Sequence, residues 1–344
     1  MAQGVIAVDG SQGEGGGQIL RTAVALSAIT GKACRIENIR AGRPNPGLAA
    51  SHATALRAAA AACSASLTGV EVGSPDIEFR PGTITAGKYV FDVGTAGALT
   101  LVLQTLVPIA LRAPAESTFQ LRGGTDVPWS PPMDYFEHIL CWWLRLMGAE
   151  VRLVTRRRGF YPKGGGLVDV IVQPAGRLRP LPQLIVSPLG DVHVESLASR
   201  SLRNSHVAER QVEGFRREFG GDVDHRIEYL DTYSFGSILH AHAHTGDTKL
   251  GANALGKRGL PAEDVGAEAA RELRKELDAA ATLDIHMSDQ ILLYAALASG
   301  PSTFTAREVS GHTATAMALI PEFVPCRFVT EPLDKGVRVT VTPG

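Results

Sequence analysis

An order of strands and helices that recurs along the chain restricts its fold more than any other feature. The first segment predicts strand, helix, strand, helix, strand, strand: "GVIAVDG" is the first strand, and Gly15 to Thr30 is a helix ended by Gly31. The same order restarts at "YVFDVG", and most of it appears again near the C terminus. Repetition of this kind predicts one domain built from three copies of a βαβαββ unit.

The other elements of the three units follow from apolar periodicity and turn residues. The first unit continues with the strand "KACRIENI", the alanine-rich helix "GLAASHATALRAAAAAC" and the strands "SLTGVEVG" and "DIEFRPG". The strands of the second unit are "YVFDVG", "STFQLRGG", "AEVRLVTRRRGF" and "GLVDVIVQP", and those of the third are "STFTAREV", "RFVTEPL" and "VRVTVTP". The predicted helices of the second and third units span Thr95–Leu111, Pro132–Met147, Ser288–Ala298 and Thr313–Phe323.

The proline-rich stretch "GRLRPLPQL" at 176–184 predicts a domain boundary. We therefore expect a large catalytic domain formed by residues 1–183 and 280–344, and a smaller inserted α/β domain over residues 184–279, called the insert below. With 344 residues the chain is long enough for both. The predicted class is α+β.

Charge and cysteine content exclude several function classes. The net charge of −1 gives no global basic field, so nucleic-acid contacts must be local. The basic candidates are Arg40 with Arg43, the run Arg156, Arg157 and Arg158 with Lys163, and Lys257 with Arg258, although a charged run is more typical of a solvated face. The four cysteines are far apart and form no C-x-x-C pair, which predicts buried thiols in a reducing compartment. Neither a signal peptide nor a membrane span is predicted, so a cytoplasmic protein is expected.

The predicted helices begin at corners rich in glycine, serine or proline. The first helix of each unit is entered through "GEGGG", "GTAG" or "HMSDQ", and the second through "RAGRPNPG", "GGTDVPWSPP" or "VSGHTA". If the copies pack around a common centre, these helix N termini form an anion site suited to phosphates. Glu14 and Arg21 are seven residues apart, about two helical turns, and therefore share one face.

His312 lies at one such corner, in "SGHTATA". One interpretation is a helix-capping neighbourhood with an incidental histidine. The other is a nucleophile, since Gly311 leaves room beside the ring and the helix dipole disfavours the imidazolium. A neutral imidazole can attack phosphorus and form a phosphoramidate, which divides one difficult step into two easier ones.

Together these motifs resemble the RNA 3′-terminal phosphate cyclases over nearly the whole chain. The resemblance rests on "DGSQGEGGGQILRTA", "IRAGRPNPGL", "GTAGALTLVLQT", "GGTDVPWSPP", "RRGFYPKGGG", "LGKRG", "SDQ" and "GHTATA", in the family's order. It implies three units like the C-terminal domain of translation initiation factor three, and an insert of thioredoxin-like topology without a redox motif. It also implies ATP-dependent conversion of an RNA 3′-terminal phosphate to a 2′,3′-cyclic phosphate through histidine–AMP and RNA-3′-pp-5′-A intermediates.

The resemblance also implies a role for each matching residue. His312 becomes adenylylated, Glu14 helps to hold a divalent metal (Mg or Mn), and Arg21 and Arg43 pair with phosphates. The ATP-binding positions are Gln104, with Pro131 and His286 on either side of adenine and Met287, Ser288, Asp289 and Gln290 beside it. Each role has an alternative. Glu14 can be a plain carboxylate at a helix mouth, Arg21 and Arg43 can form surface ion pairs, and the Pro131 and His286 positions can be ordinary helix entries.

The chain departs from the family pattern at three positions. Tyrosine is frequent in the family where this chain has His286, glutamine where it has Ser51, and cysteine where it has Gly311.

Two other functions are compatible with parts of the pattern. Non-catalytic relatives that act in ribosomal RNA maturation lack the histidine, so His312 argues against that function. Enolpyruvyl transferases also use repeated βαβαββ units, but they have six of them and different motifs. The expected partner is RNA with a 3′-terminal phosphate, and the oligomeric state is left open.

A second histidine group falls inside the insert. His240, His242 and His244 alternate in "LHAHAHTG", so they share one face of a strand. Three imidazoles can bind zinc, but the sequence indicates no carboxylate or cysteine partner for them, and the alternative is an edge-strand face. Of Trp142 and Trp143, which lie in a predicted helix, one is expected in the core.

Overall fold

A computed structural model describes residues 4–221 and 223–344 of the chain. The first unit has six elements, which are β1 (Ile6–Asp9), α1 (Gly17–Thr30), β2 (Cys34–Glu37), α2 (Ala50–Cys63), β3 (Ser66–Thr68) and β4 (Ile77–Arg80). Its sheet has the order β1-β2-β4-β3, in which β1 and β2 are parallel and the other pairs are antiparallel.

The second unit repeats this topology. Its elements are β5 (Lys88–Asp92), α3 (Leu99–Ala110), β6 (Ser117–Gly123), α4 (Met133–Tyr135), a π-helical turn (Phe136–Leu140), α5 (Cys141–Leu146), β7 (Val151–Arg157) and β8 (Gly166–Val172). The sheet order is β5-β6-β8-β7, again with one parallel pair at the start. The predicted second helix is therefore a continuous helical stretch with a π turn in the middle.

The segment from β9 to α7 forms a sheet with its own apolar core. It comprises β9 (Leu189–Ser199), a 3₁₀ turn (Arg200–Ser205), α6 (Val207–Phe219), β10 (Asp224–Leu230), β11 (Ser237–Thr245), β12 (Thr248–Leu255) and α7 (Ala262–Asp278). The strand order is β10-β9-β11-β12, and α6 and α7 pack against the sheet. The core between them includes Phe215, Leu239 and Leu273.

The third unit lacks the first strand. It consists of α8 (Ile285–Ala296), β13 (Ser302–Ala306), α9 (Gly311–Phe323), β14 (Cys326–Pro332) and β15 (Val337–Pro343). Its sheet order, β13-β15-β14, matches the last three strands of the other two units.

One large apolar core joins the three units. Helix α1 packs against α3 and α9, and α8 packs against α9. A hydrogen bond between Gln104 on α3 and Gln290 on α8 also joins the second and third units. Leu20, Leu103 and Ile291 are buried in this shared core.

Several local predictions can now be compared with the structure. The α+β class is confirmed, Gly31 ends α1 in the left-handed conformation, and Trp143 is fully buried whereas Trp142 is only partly so. The edge-strand interpretation of the histidine face is wrong, because β11 lies between β9 and β12. All four cysteines are free thiols, three of them buried. Within residues 4–221 and 223–344, no helix combines the length and apolar character that a membrane crossing requires.

Candidate active site

The glycine-rich entry to α1 brings backbone close to α9. Gly13 and Gly15 both have φ of +55°, a left-handed conformation that favours glycine. A Cβ on Gly13 would lie only 2.1 Å from Oγ1 of Thr315, so this position also needs the absence of a side chain. Helix α1 begins after Gly16 without a side-chain cap, which leaves its first amides available to an anion.

The N terminus of α9 is fixed by hydrogen bonds on both sides of His312. Ser310 Oγ accepts from the Thr313 amide at 3.0 Å, a normal helix cap. Thr315 Oγ1 accepts from the Glu14 amide at 3.3 Å, and Gln18 Nε2 donates to the His312 carbonyl at 3.2 Å. These bonds hold the first turn of α9 against the entry to α1.

Glu14 lies directly beside this turn. A Cβ at Gly311 would be 2.3 Å from Oε1 of Glu14, so the glycine lets the carboxylate approach the residue that precedes His312. Arg43 donates from Nη2 to the Glu14 carbonyl at 2.7 Å, and the same nitrogen is 3.6 Å from Oε2 of the carboxylate. An open cavity of about 520 Å³ is lined by Ser11, Gly13, Glu14, Gly15, Gly42, Arg43 and Gly311.

A chain of side-chain hydrogen bonds joins the first helices of all three units. Arg21 Nε on α1 donates to Gln104 Oε1 on α3 at 3.2 Å. Gln104 Nε2 donates to Gln290 Oε1 on α8 at 2.9 Å, and Gln290 Nε2 donates to the His286 carbonyl at 2.9 Å. Three of the residues singled out for phosphate and nucleotide binding are therefore in direct contact, although they are far apart in sequence.

The start of α8 holds the remaining predicted nucleotide residues. Asp284 caps the helix by accepting from the His286 and Met287 amides at 3.1 and 2.9 Å, and it also accepts from the Tyr135 hydroxyl. The exposed His286 ring lies edge-on to Tyr135, with ring centroids 6.2 Å apart. The side chains of Met287 and Ser288 are completely buried, so any contact with a ligand there comes from the backbone.

Pro131 lies at the corner that enters α4, and its carbonyl accepts from Thr100 Oγ1 at 2.7 Å. This bond ties the corner to the first turn of α3.

Burial and neighbouring charges shift several pKa values at the site. Burial lowers the pKa of His312 below its ordinary 6.5, the Glu14 carboxylate raises it, and Arg21, His286 and Arg43 lower it. Burial lowers the pKa of Arg21 to about 10, which Asp289 partly offsets. The His312 ring is partly buried, and its Nδ1 is buried without a hydrogen-bond partner among the described residues. The imidazole is therefore biased toward its neutral form.

Asp289 is a second titratable group with an unusual environment. Burial raises the pKa of its carboxyl to about 8, with Arg21 lowering it and Asp284 raising it. At neutral pH the carboxyl is then largely protonated and can donate a hydrogen bond.

The sequence analysis did not single out His52, which lies beside Gly17 and Arg21. A Cβ on Gly17 would lie 2.1 Å from His52 Nε2 and 2.9 Å from Arg21 Nη1, so α1 has a glycine where this imidazole approaches. His52 Nδ1 accepts from the Ala49 amide at 3.3 Å, and burial lowers the pKa of His52 to about 3. The only sequence signal was its place at the start of a helix, which does not distinguish it from other histidines.

The comparisons with known proteins agree with these motifs. A family model described as RNA 3′-terminal phosphate cyclase matches residues 12–330. Proteins named RNA 3′-terminal phosphate cyclase from Nitrosospira multiformis and Archaeoglobus fulgidus are 43% and 44% identical to this chain. The alignments cover 98% and 93% of this chain and 96% of each relative.

Among solved structures, the enolpyruvyl transferase NikO from Streptomyces tendae aligns over 99% of this chain and 66% of its own, with 14% identity and a TM-score of 0.27. That likeness is too weak to bear on fold or function. The family model and the curated relatives, by contrast, each cover more than nine-tenths of the chain. The protein whose glycine-rich entry meets His312 in this way thus belongs to the RNA 3′-terminal phosphate cyclase family.

Proposed function

We propose that this chain converts an RNA 3′-terminal phosphate to a 2′,3′-cyclic phosphate, with ATP as the second substrate and His312 as the nucleophile. The relatives support the overall reaction by their name. The single observation that supports the mechanism is the position of His312, held at a helix N terminus beside Glu14 and next to an open cavity.

In the first step the neutral imidazole attacks the α-phosphorus of ATP. A P–N bond forms, the bond to the β-phosphate oxygen breaks, and pyrophosphate leaves. Because Nδ1 is buried, Nε2 is the nitrogen available for attack, and Nδ1 retains the proton of the neutral ring. The uncapped amides of α1, with Arg21 and Arg43, would bind the triphosphate, and both arginines are close enough to His312 to lower its pKa.

In the second step an oxygen of the RNA 3′-phosphate attacks the phosphorus of the histidine–AMP, and the P–N bond breaks. The product is RNA-3′-pp-5′-A, in which AMP is a good leaving group. In the third step the adjacent 2′-hydroxyl attacks the 3′-phosphorus, loses its proton and displaces AMP. This closure is intramolecular, so proximity supplies much of the acceleration.

The donor set at the cavity fits a divalent cation. Glu14 offers a partly exposed carboxylate, and hard cations such as Mg²⁺ or Mn²⁺ take one or two carboxylates together with phosphate oxygens. When bound, the cation would polarise the phosphates and neutralise the charge that develops on pyrophosphate. Arg43 binds the Glu14 backbone carbonyl and lies 3.6 Å from its carboxylate, beside the position proposed for the cation.

We infer that the adenosine end of ATP lies toward α3 and α8. Gln104 and Gln290 are linked to Arg21 by hydrogen bonds, so a nucleotide along this line would touch all three units. Pro131 and His286 would flank adenine, and the protonated Asp289 would serve as a donor. The proposed division into a catalytic domain (1–183 and 280–344) and an insert (184–279) places all of these residues in the former, whose units we expect to resemble the C-terminal domain of initiation factor three. For the insert we expect thioredoxin-like topology.

Labelling the protein from ATP tests the nucleophile. The purified full-length protein is incubated with ATP labelled at the α-phosphate and with Mn²⁺ or Mg²⁺, without RNA. We expect one label per chain that is stable to alkali and released by acid, as for a P–N bond. His312→Ala should remain unlabelled, and His225→Ala, a distant variant in the insert, should label normally. Label that persists in His312→Ala would overturn the proposed intermediate.

A second assay separates the cyclase reaction from other nucleotidyl transfer. A 3′-phosphorylated oligoribonucleotide should yield a terminus resistant to phosphatase, with AMP and pyrophosphate formed in equal amounts. An oligonucleotide with a 2′-deoxy end should stop at the RNA-3′-pp-5′-A stage, because the attacking hydroxyl is absent. Labelling without any change to the RNA end would leave adenylylation intact but contradict the cyclase proposal.

A further inference from the structure

A cluster of potential metal ligands lies where the second unit meets the insert. Asp134 on α4, His138 on the following π turn and Glu195 on β9 bring one ligand atom each within 4.8 Å of one another. His138 Nε2 is 3.2 Å from Glu195 Oε2. Ligand atoms around a tetrahedral zinc ion, with bonds of about 2.0–2.2 Å, are separated by about 3.3 Å, so this pair already has that spacing.

His240 adds an imidazole from the neighbouring strand. It is paired with Glu195 across the β9–β11 ladder, and its ring stacks on His138 with centroids 5.9 Å apart. The residue is completely buried, yet neither ring nitrogen has a hydrogen-bond partner in the described part of the chain. A buried imidazole without a partner is unfavourable and calls for an explanation.

The next pair along the same ladder repeats this arrangement. His242 is paired with His193, their rings are 5.1 Å apart, and the His242 ring is 5.3 Å from that of His138. Nδ1 of His242 is also buried without a partner among the described residues. The cluster is therefore rich in imidazole nitrogen, which favours zinc, cobalt or nickel over magnesium.

Several carboxylates converge at the cluster. Arg158 binds Asp126 and Asp134, and Glu137 acts on the neighbouring His138. Nη1 of the exposed Arg226 is 3.9 Å from Oε1 of Glu195, and Glu195 also interacts with Lys249. Each Asp134 oxygen that accepts from Arg158 keeps a second lone pair. A divalent ion would add charge where acidic groups converge.

We propose that Asp134, His138, Glu195 and His240 bind a divalent transition metal, zinc by ligand type, at the contact between the second unit and the insert. Two ligands come from the helical segment of the unit and two from neighbouring strands of the insert, so the ion would link the two parts. Binding requires the Asp134 carboxylate and the His240 ring to close in, by rotation of side chains. The site is separate from the proposed catalytic cation at Glu14 and needs no ATP.

Cobalt titration tests the site on the full chain. The protein is stripped with a chelator, dialysed and titrated with Co²⁺ in the absence of nucleotide. We expect one equivalent to produce the visible absorption bands of four-coordinate cobalt with nitrogen ligands, to be displaced by Zn²⁺, and to raise the melting temperature. A titration that shows no stoichiometric cobalt absorption would overturn the proposal.

Variants show whether these residues are the ligands. His138→Gln and His240→Phe should each weaken cobalt binding by at least about tenfold. Two controls should leave it unchanged: His244→Asn, on the same strand but packed on Trp142, and Glu14→Gln at the proposed catalytic site. Circular dichroism reports folding, and if the buried His240→Phe does not fold, the more exposed His138→Gln decides. Unchanged binding in a folded His138→Gln variant would contradict the assignment.

Discussion

Among single residues, the state of the His312 imidazole matters most for the proposed chemistry, because only its neutral form has a lone pair for attack. Burial disfavours the charged form, while the nearby Glu14 carboxylate favours it. Burial outweighs Glu14, since the net direction of the pKa shift is downward. A helix N terminus beside the ring acts in the same direction.

A pH profile of adenylylation follows from this balance. Below the pKa of His312 the ring is protonated and the rate falls, so we expect the acid limb of the profile to lie below pH 6.5. Replacing Glu14 by Gln removes the group that raises this pKa, and the limb should move to still lower pH while the maximal rate drops. Single-turnover labelling across pH measures both quantities. A limb above 6.5 in the wild-type protein would contradict the predicted direction.

Arg21 offers a test of the hydrogen-bonded chain that joins the units. Lysine keeps the charge but not the planar fork, so Arg21→Lys should lose the bond to Gln104 and weaken ATP binding by about tenfold. The expected effect is mainly on KM for ATP. Arg35→Lys, an exposed ion-pair residue on β2, should behave like the wild-type protein. Equal loss in both variants would show that the effect does not come from the bond between Arg21 and Gln104.

At this scale the sequence identified residues better than it identified contacts. His312, Glu14, Arg21 and Arg43 stand out by their glycine-rich surroundings, and the last three lie close enough to His312 to shift the pKa of its imidazole. The hydrogen bond between Gln104 and Gln290 spans 186 positions, and no local pattern encodes it. His52 was missed for the same reason, since its contact with Gly17 depends on how α1 and α2 pack.

The element that most depends on glycine is the entry to α1. The chain makes a left-handed turn at Gly13 while passing within contact distance of Thr315 on α9. A β-carbon would meet both a conformational cost and a steric one. This explains why glycines precede the helix. Binding of a phosphate would by itself require only free backbone amides, which other residues also provide.

Gly13→Ala therefore should disturb the site and lower stability. The left-handed conformation costs an alanine about 1–2 kcal/mol, and its Cβ would displace Thr315 Oγ1, the acceptor of the Glu14 amide. We expect a melting temperature lower by a few degrees and a loss of adenylylation larger than the loss of stability. Gly176→Ala is the matched control, because its Cβ would meet nothing within 4 Å. Wild-type labelling in Gly13→Ala would contradict the proposed role of the turn at Gly13 in positioning the site.

Element types were predictable, while their ends and irregularities were not. Apolar periodicity placed α1 and the strands of the first unit, but α3 begins at Leu99 rather than at Thr95, because the "GTAG" corner forms bends with Gly94 in the left-handed conformation. The π turn at Phe136–Leu140 adds a residue to one helical turn, which a 3.6-residue period cannot reveal. The edge-strand interpretation of β11 was wrong, since the order of strands in a sheet is set by contacts distant in sequence, which a local pattern does not reveal.

At the scale of the whole molecule, the segment that follows β7 holds a buried ion pair within the second unit and an aromatic side chain that packs on the insert. Arg158, only 11% exposed, binds the buried carboxylates of Asp126 and Asp134. Two residues later Phe160 enters an apolar cluster with Leu197 and Ile238 of the insert. The polypeptide that follows β7 thus carries both the ion pair and the apolar anchor.

Replacing Arg158 by Met leaves two buried carboxylates without their cation. Removal of one partner from a buried ion pair costs about 3–5 kcal/mol, so the free energy of unfolding should fall by about that amount at pH 7. Arg156→Met, on the neighbouring exposed position that pairs with Asp169, should cost no more than about 1 kcal/mol. Urea denaturation of both variants provides the comparison.

The pH dependence separates charge from packing in this variant. Without Arg158, the group that lowers the pKa of Asp126 is gone, and burial raises that pKa further above its ordinary value. A buried acid with a raised pKa destabilises the fold when it ionises, so the penalty should shrink as the pH falls through that pKa and grow as the pH rises. If Arg158→Met lost the same free energy of unfolding at pH 5 and at pH 8, the loss would come from the shape of the arginine side chain and not from its charge.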